Sequence, residues 1–162
     1  MNETTDRGSQ EPKVLEVVNT RVFNAPCELI FEVSSNPQHL IHWWGPSDFT
    51  NTFQEFAFHP GGKWRFVMQG PDGKKYPQDK EFVEIIEPCC IVIRHHQHEH
   101  NFDMVMTFAQ QGEGTLVTWR MVFEASPQNV HLESFIPAAN EQNFDRLEAY
   151  LKTLQTNSYT LR

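Results

Sequence analysis

Between Phe53 and Phe123 the chain reads as six short runs of β-branched, aromatic and aliphatic residues, each cut off by a turn signal. "FQEFAF" (53–58) ends at "HPGG", "KWRFVM" (63–68) at "QGPDGKK", and "KEFVEII" (80–86) at "EPC". "CIVIRHH" (90–96), "FDMVMTF" (102–108) and, after "QQGEG", "TLVTWRMVF" (115–123) complete the series. Strands joined this tightly pair with their sequence neighbours, so the pattern demands an antiparallel meander. Three runs alternate with period two: Trp64, Phe66 and Met68 share one face, as do Phe102, Met104, Met106 and Phe108, and again Val117, Trp119, Met121 and Phe123. Arg65, Asp103, Thr107, Thr118 and Arg120 fall on the opposite face. One side of the sheet is dry and the other wet.

A dry face needs a cover, and the C-terminal segment can supply it. In "PAANEQNFDRLEAYLKTLQ", Asn140, Phe144, Leu147, Leu151 and Leu154 recur at steps of four, three, four and three, which is one face of a helix. Pro137 is expected to start that helix, with a shorter helical piece opening at Ser126-Pro127. Upstream, "VLEVVNTRVF" (14–23) reads as a strand. "NAPCELIFEVSSN" (24–36) reads as a helix capped by Asn24, and "PQHLIHWW" as a second short helix stopped by Gly45-Pro46. The expected class is α+β: an antiparallel curved sheet of about seven strands wrapped on a long C-terminal helix, with two short helices after the first strand. Residues 1–12 are expected to be a disordered tail, 13–155 one domain, and 156–162 a C-terminal tail.

The balance of 13 basic against 21 acidic residues, a net charge of -8, argues against nucleic-acid backbones and anionic membranes as partners. With no long apolar run and a polar start, the expected location is the cytoplasm. Cys27, Cys89 and Cys90 form no spaced framework and are expected to be reduced and buried as small hydrophobes.

"RHHQHEH" (94–100) holds four of the eight histidines. His98 and His100 are expected at a solvated hairpin tip rather than in a metal site, for which no second ligand cluster has suitable spacing. His95 and His96 lie in the strand, and one of them must face the apolar side. No Ser/His/Asp or Cys/His set stands beside them. The turns "HPGG" and "GPDG" are followed by no helix, so a phosphate loop is ruled out. Asn140 shares the stripe of Phe144 and Leu147, and two roles stay open for it: satisfying local backbone, or facing the interior to hold the polar end of a ligand. Glu141, Gln142 and Asn143 are expected to meet solvent or the preceding loop.

"WWGP" (43–46), "HPGGKWRFVMQGPDG" (59–73), "FVEIIEP" (82–88) and "PAANEQNFDRLEAYL" (137–151) resemble the activator-of-heat-shock-protein-90-ATPase-homologue family, a branch of the START-like, SRPBCC helix-grip superfamily. His59 stands where that family often has arginine. The resemblance implies a compartment between sheet and long helix that takes a small apolar or amphipathic molecule in a carrier or sensor role. Its walls would be Trp44, Phe58, Trp64, Phe66, Met68, Met104, Met106, Phe108, Trp119, Met121 and Phe144, with His96 (or its neighbour His95) and Asn140 as polar groups. No catalytic set, metal or cofactor is assigned. A cyclase- or hydrolase-like enzyme acting on a small aromatic or polyketide-like substrate is the alternative. A chaperone-linked interaction module, with a chaperone or a second copy of the chain as partner, is a further one.

Overall fold

The computed structural model describes residues 14–96, 101–124 and 132–160. Its elements are β1 (Val14–Phe23), α1 (Cys27–Ser35), α2 (Pro37–Trp43), β2 (Thr50–Phe56), β3 (Lys63–Gln69), β4 (Lys75–Ile86), β5 (Cys90–His95), β6 (Phe102–Gln111), β7 (Gly114–Glu124) and α3 (Leu132–Thr160). The strands form one seven-stranded sheet in the order β1-β7-β6-β5-β4-β3-β2, every neighbouring pair antiparallel. Strands β2 to β7 meander. The two helices α1 and α2 carry the chain from β1 to β2, so first and second strands become opposite edges of the sheet. This is the curved sheet and long C-terminal helix of the helix-grip fold.

The three alternating stripes lie on the inner face. Trp64, Phe66, Met104, Met106, Phe108, Val117, Trp119, Met121 and Phe123 are buried, while Arg65 and Arg120 point to solvent. Phe144, Leu147 and Leu151 of α3 are buried against this face, with Leu154 partly covered. Fully burying one such side chain contributes about 1.5–3 kcal/mol, so a few residues suffice to hold the helix down.

Two bulges reset the alternation. One lies between Phe53 and Glu55 in β2 and lets both Phe53 and Phe56 pack inward, their rings stacked 6.2 Å apart. The other lies between Phe82 and Glu84 in β4. An extra residue in one strand turns every later side chain to the other face. Lys80 and Phe82 therefore share the inner face with Ile85, although Ile85 has the opposite parity.

Several boundaries differ from those read in the sequence. β4 starts at Lys75 rather than Lys80 and runs through Pro77. β5 ends at His95, opposite Lys80, so among the described residues the first residues of β4 have β3 alone as a paired strand. Asp79 turns its carbonyl toward the β5 side, accepting from His96 N, so Pro77, two residues earlier, faces that open side too. Its missing N–H costs no ladder bond there. β2 starts earlier than expected and stops at Phe56, leaving Phe58 past its end.

α3 starts at Leu132, with Pro137 inside the helix rather than at its first position. Proline removes one i→i−4 hydrogen bond. Leu132 and Ile136, packed against the core in the stretch that leads up to it, supply burial that offsets the loss. The helix also runs to Thr160, through part of the expected C-terminal tail. The helical piece at Ser126-Pro127, the N-terminal tail and the hairpin histidines His98 and His100 lie outside the described residues.

The cysteines are free, but they are not buried hydrophobes: Cys89 is exposed, and Cys27 and Cys90 are half-buried. Cys89 occupies the turn between β4 and β5, with its side chain in solvent. Among the described residues, no helix is long and apolar enough to cross a membrane.

Candidate functional site

The inner face of the sheet is crossed by one register row in which Phe56, Trp64, Lys80, His95, Phe102, Phe123 and Leu15 stand side by side, one from each strand. Directly opposed residues share a face, so all seven side chains point toward the core. Five are apolar or aromatic, and at the centre of the row sit an amine and an imidazole.

Lys80 is 5% exposed and His95 3%. Lys80 Nζ and His95 Nδ1 share a hydrogen bond of 3.1 Å. The amine lies 5.1 Å from the centroid of Phe102 and 6.0 Å from that of Phe66, and the imidazole stacks on Phe102 at 4.7 Å. Among the described residues no carboxylate comes within ion-pair distance of Lys80. Cation–π contacts contribute about 0.5–2 kcal/mol each, whereas burying an ammonium costs several kcal/mol. Desolvation wins, and it lowers the Lys80 amine from 10.5 to about 7.

Beside Lys80 in the row, the Trp64 indole Nε1 is buried without a hydrogen-bond partner among the described residues. Its ring is packed on every side that the sheet offers: Phe66 stacks on it at 4.5 Å, Phe53 and Phe56 meet it edge-on at 5.6 Å, and Trp44 lies 5.1 Å away. Trp44 in turn lies 5.4 Å from Trp119, which contacts Phe144 of α3 at 4.6 Å. Aromatic rings thus run without a break from sheet to helix. Phe58 joins them through Phe82, at 4.9 Å. Met68 is half-buried, while Met104, Met106, Met121 and Phe108 lie deeper.

The polar groups expected in the compartment are placed differently. His95, not His96, faces inward. His96 points outward, where its Nε2 lies 3.0 Å from Glu81 Oε1. Period-two alternation leaves no choice once Ile91 and Ile93 are inside. Asn140 is on the inner side of α3, and its amide reaches across the fold rather than satisfying local backbone. Its Nδ2 donates to Asn19 Oδ1 at 3.0 Å and to Met121 Sδ at 3.5 Å, so it ties the helix to β1 and β7. Asn19 Nδ2 donates back to Glu141 Oε2 and to the carbonyl of Pro137. Asn143, expected to meet solvent or loop, is buried: Gly45 N donates to its Oδ1 at 3.1 Å, and its Nδ2 donates to the Trp43 carbonyl at 2.7 Å.

Arg146, one turn further on, donates to the carbonyls of Trp44, Gly45, Pro46 and His42. A guanidinium on the carbonyls that end α2 acts as a charged C-cap and fixes Trp43 and Trp44 over the ring cluster. Gly45 is needed here, since its φ is +102°, a conformation that strains any side chain. Lys80 and the Asn143–Arg146 clamp were both missed in the sequence. Lys80 had one signal: it shares parity with Phe82.

Among the described residues no three His, Cys, Asp or Glu side chains converge on a point that could hold a metal ion. No curated protein sequence matches the chain. Solved structures do. A protein from Nitrosomonas europaea superposes with a TM-score of 0.77 at 20% identity, over 88% of this chain and 97% of its own. One from Mycobacterium smegmatis gives 0.72 at 26% identity, over 85% and 90%. One from Silicibacter pomeroyi, described as an AHSA1 protein, gives 0.71 at 16% identity, over 86% and 99%. The family model described as "Activator of Hsp90 ATPase homolog 1-like protein" matches residues 24–152. That span runs from the turn before α1 to the last buried turns of α3, and the chain belongs to this family.

Proposed function

We propose that this domain holds a small apolar or amphipathic molecule between the inner face of the sheet and α3. The observation that carries the reading is the Trp64 indole N–H, buried among rings with no acceptor among the described residues. An unpaired buried donor costs about 1–3 kcal/mol, and a native core keeps few of them without a reason. A ligand oxygen or nitrogen reaching Trp64 Nε1 would remove that cost. Soft methionines at Met68, Met104, Met106 and Met121 suit walls that re-form around a guest. Membership of the helix-grip family supports the same reading at the coarse level.

The test is titration with the neutral probe N-phenyl-1-naphthylamine, following tryptophan emission and probe fluorescence together. The expected outcome is saturable binding at about one site per chain with quenching of tryptophan. Met106→Trp, which places a larger ring in the same wall, is expected to abolish it while the far-UV spectrum stays native. Absence of any saturable binding, with no small molecule co-purifying in native mass spectrometry, would overturn the proposal.

A further inference from the structure

Lys80 brings a side chain with three donors into the core, and His95 Nδ1 is its one hydrogen-bond partner among the described residues. The amine also faces the rings of Phe66 and Phe102, which accept no conventional hydrogen bond. A lysine packed only for its stem would carry its amine out to water. This one ends inside, in the row that also holds the unpaired indole of Trp64.

We infer that Lys80 and His95 form an anion-receiving end of the ligand site, and that the molecule held is an amphipathic carboxylate. Its carboxylate would lie on Lys80 Nζ and its apolar body along Trp64 and the rings beyond it. This assignment rests on the ligand-holding reading above and narrows it. A carboxylate oxygen supplies both the negative charge and the acceptors that the described residues do not offer to the amine. A neutral alcohol of the same shape supplies neither charge nor an equal acceptor. Burial holds the amine to about 7, so an arriving anion also draws a proton onto it.

The experiment compares 1-naphthaleneacetic acid with 2-(1-naphthyl)ethanol, an acid and an alcohol on the same ring system, by calorimetry on the purified full chain. At pH 7 the acid is expected to bind about tenfold tighter or more. At pH 8, in buffers of different ionisation enthalpy, the protein is expected to take up about one proton per acid bound and none with the alcohol. In Lys80→Met the two compounds are expected to bind alike. Equal affinities in the wild type, a preference for the acid that survives in Lys80→Met, or no proton uptake would each overturn the assignment. If Lys80→Met does not fold, the proton uptake of the wild type decides alone. Binding of N-phenyl-1-naphthylamine without binding of either naphthyl compound removes the anion end and leaves the ligand-holding reading standing. Failure of all three probes removes both.

Discussion

Burial of the Lys80 amine makes stability depend on pH in a direction opposite to that of a salt-bridged lysine. The unfolded chain holds this proton up to about 10.5, whereas the folded chain releases it near 7. Between those values the unfolded state binds more protons, so the contribution of Lys80 to stability rises with pH, by about 1.4 kcal/mol per unit at most. Below about 7 the folded state carries the buried charge in full, and the penalty is constant. In Lys80→Met that slope is expected to vanish. Urea unfolding at pH 7, 8 and 9 checks this: the difference between wild type and Lys80→Met should move in favour of wild type at each step. A difference that stays flat would mean that the amine reaches water in the native state.

At the scale of elements, α3 is both a lid on the core and a clamp on α2. Leu147→Ala is expected to cost about 2–5 kcal/mol by denaturant unfolding, the range for a cavity left by a buried leucine. Asn143→Ala should cost about 1–3 kcal/mol for a different reason. It leaves the Gly45 N–H and the Trp43 carbonyl buried without their partner, with no large hydrophobic loss. The two are separable by near-ultraviolet circular dichroism: the asparagine change should alter the Trp43 and Trp44 signal, since these side chains depend on the end of α2. Arg21 holds the same stretch of the helix from the β1 side. It lies between Glu141, Asp145 and Glu148 of α3, at 2.9–3.0 Å, with its guanidinium 5.4 Å from the Phe144 ring. These carboxylates are largely exposed, so their share of the docking energy is modest beside that of the apolar stripe.

For the molecule as a whole, the pairing of β1 with β7 is the dominant topological fact. Val14 lies opposite Glu124, so this ladder closes a loop of most of the chain before it gains any contact. Loop closure of that kind is slow. Refolding followed by stopped-flow tryptophan fluorescence is expected to occupy milliseconds to seconds, as for other non-local β topologies. Complete recovery within microseconds would mean that the long-range ladder is not part of the folding barrier.

Residue order alone makes the meander, the dry inner face and the stripe of α3 legible in the sequence, because these follow from short-range periodicity. Trp64 and Phe66, or Phe144 and Leu147, need only their own neighbours to reveal which way they point. It did not determine the polar interior. In Ile91–Ile93 every residue is apolar, so alternation there has no visible phase, and only the outward charge of Arg94 hinted that His95 turns in. Lys80 was hidden by the bulge after Phe82, since counting back in twos from the inward Ile85 puts it outside. A bulge is settled by the partner strand and not by the residues that form it. The roles of Asn140 and Asn143 were closed to a local reading for a related reason: their partners, Asn19 and the Trp43–Gly45 turn, lie about a hundred or more residues away. Which hydrogen bond a buried amide makes is a property of what the fold brings to it. Only the assembled sheet and helix could place an amine and an imidazole at the centre of an otherwise apolar row.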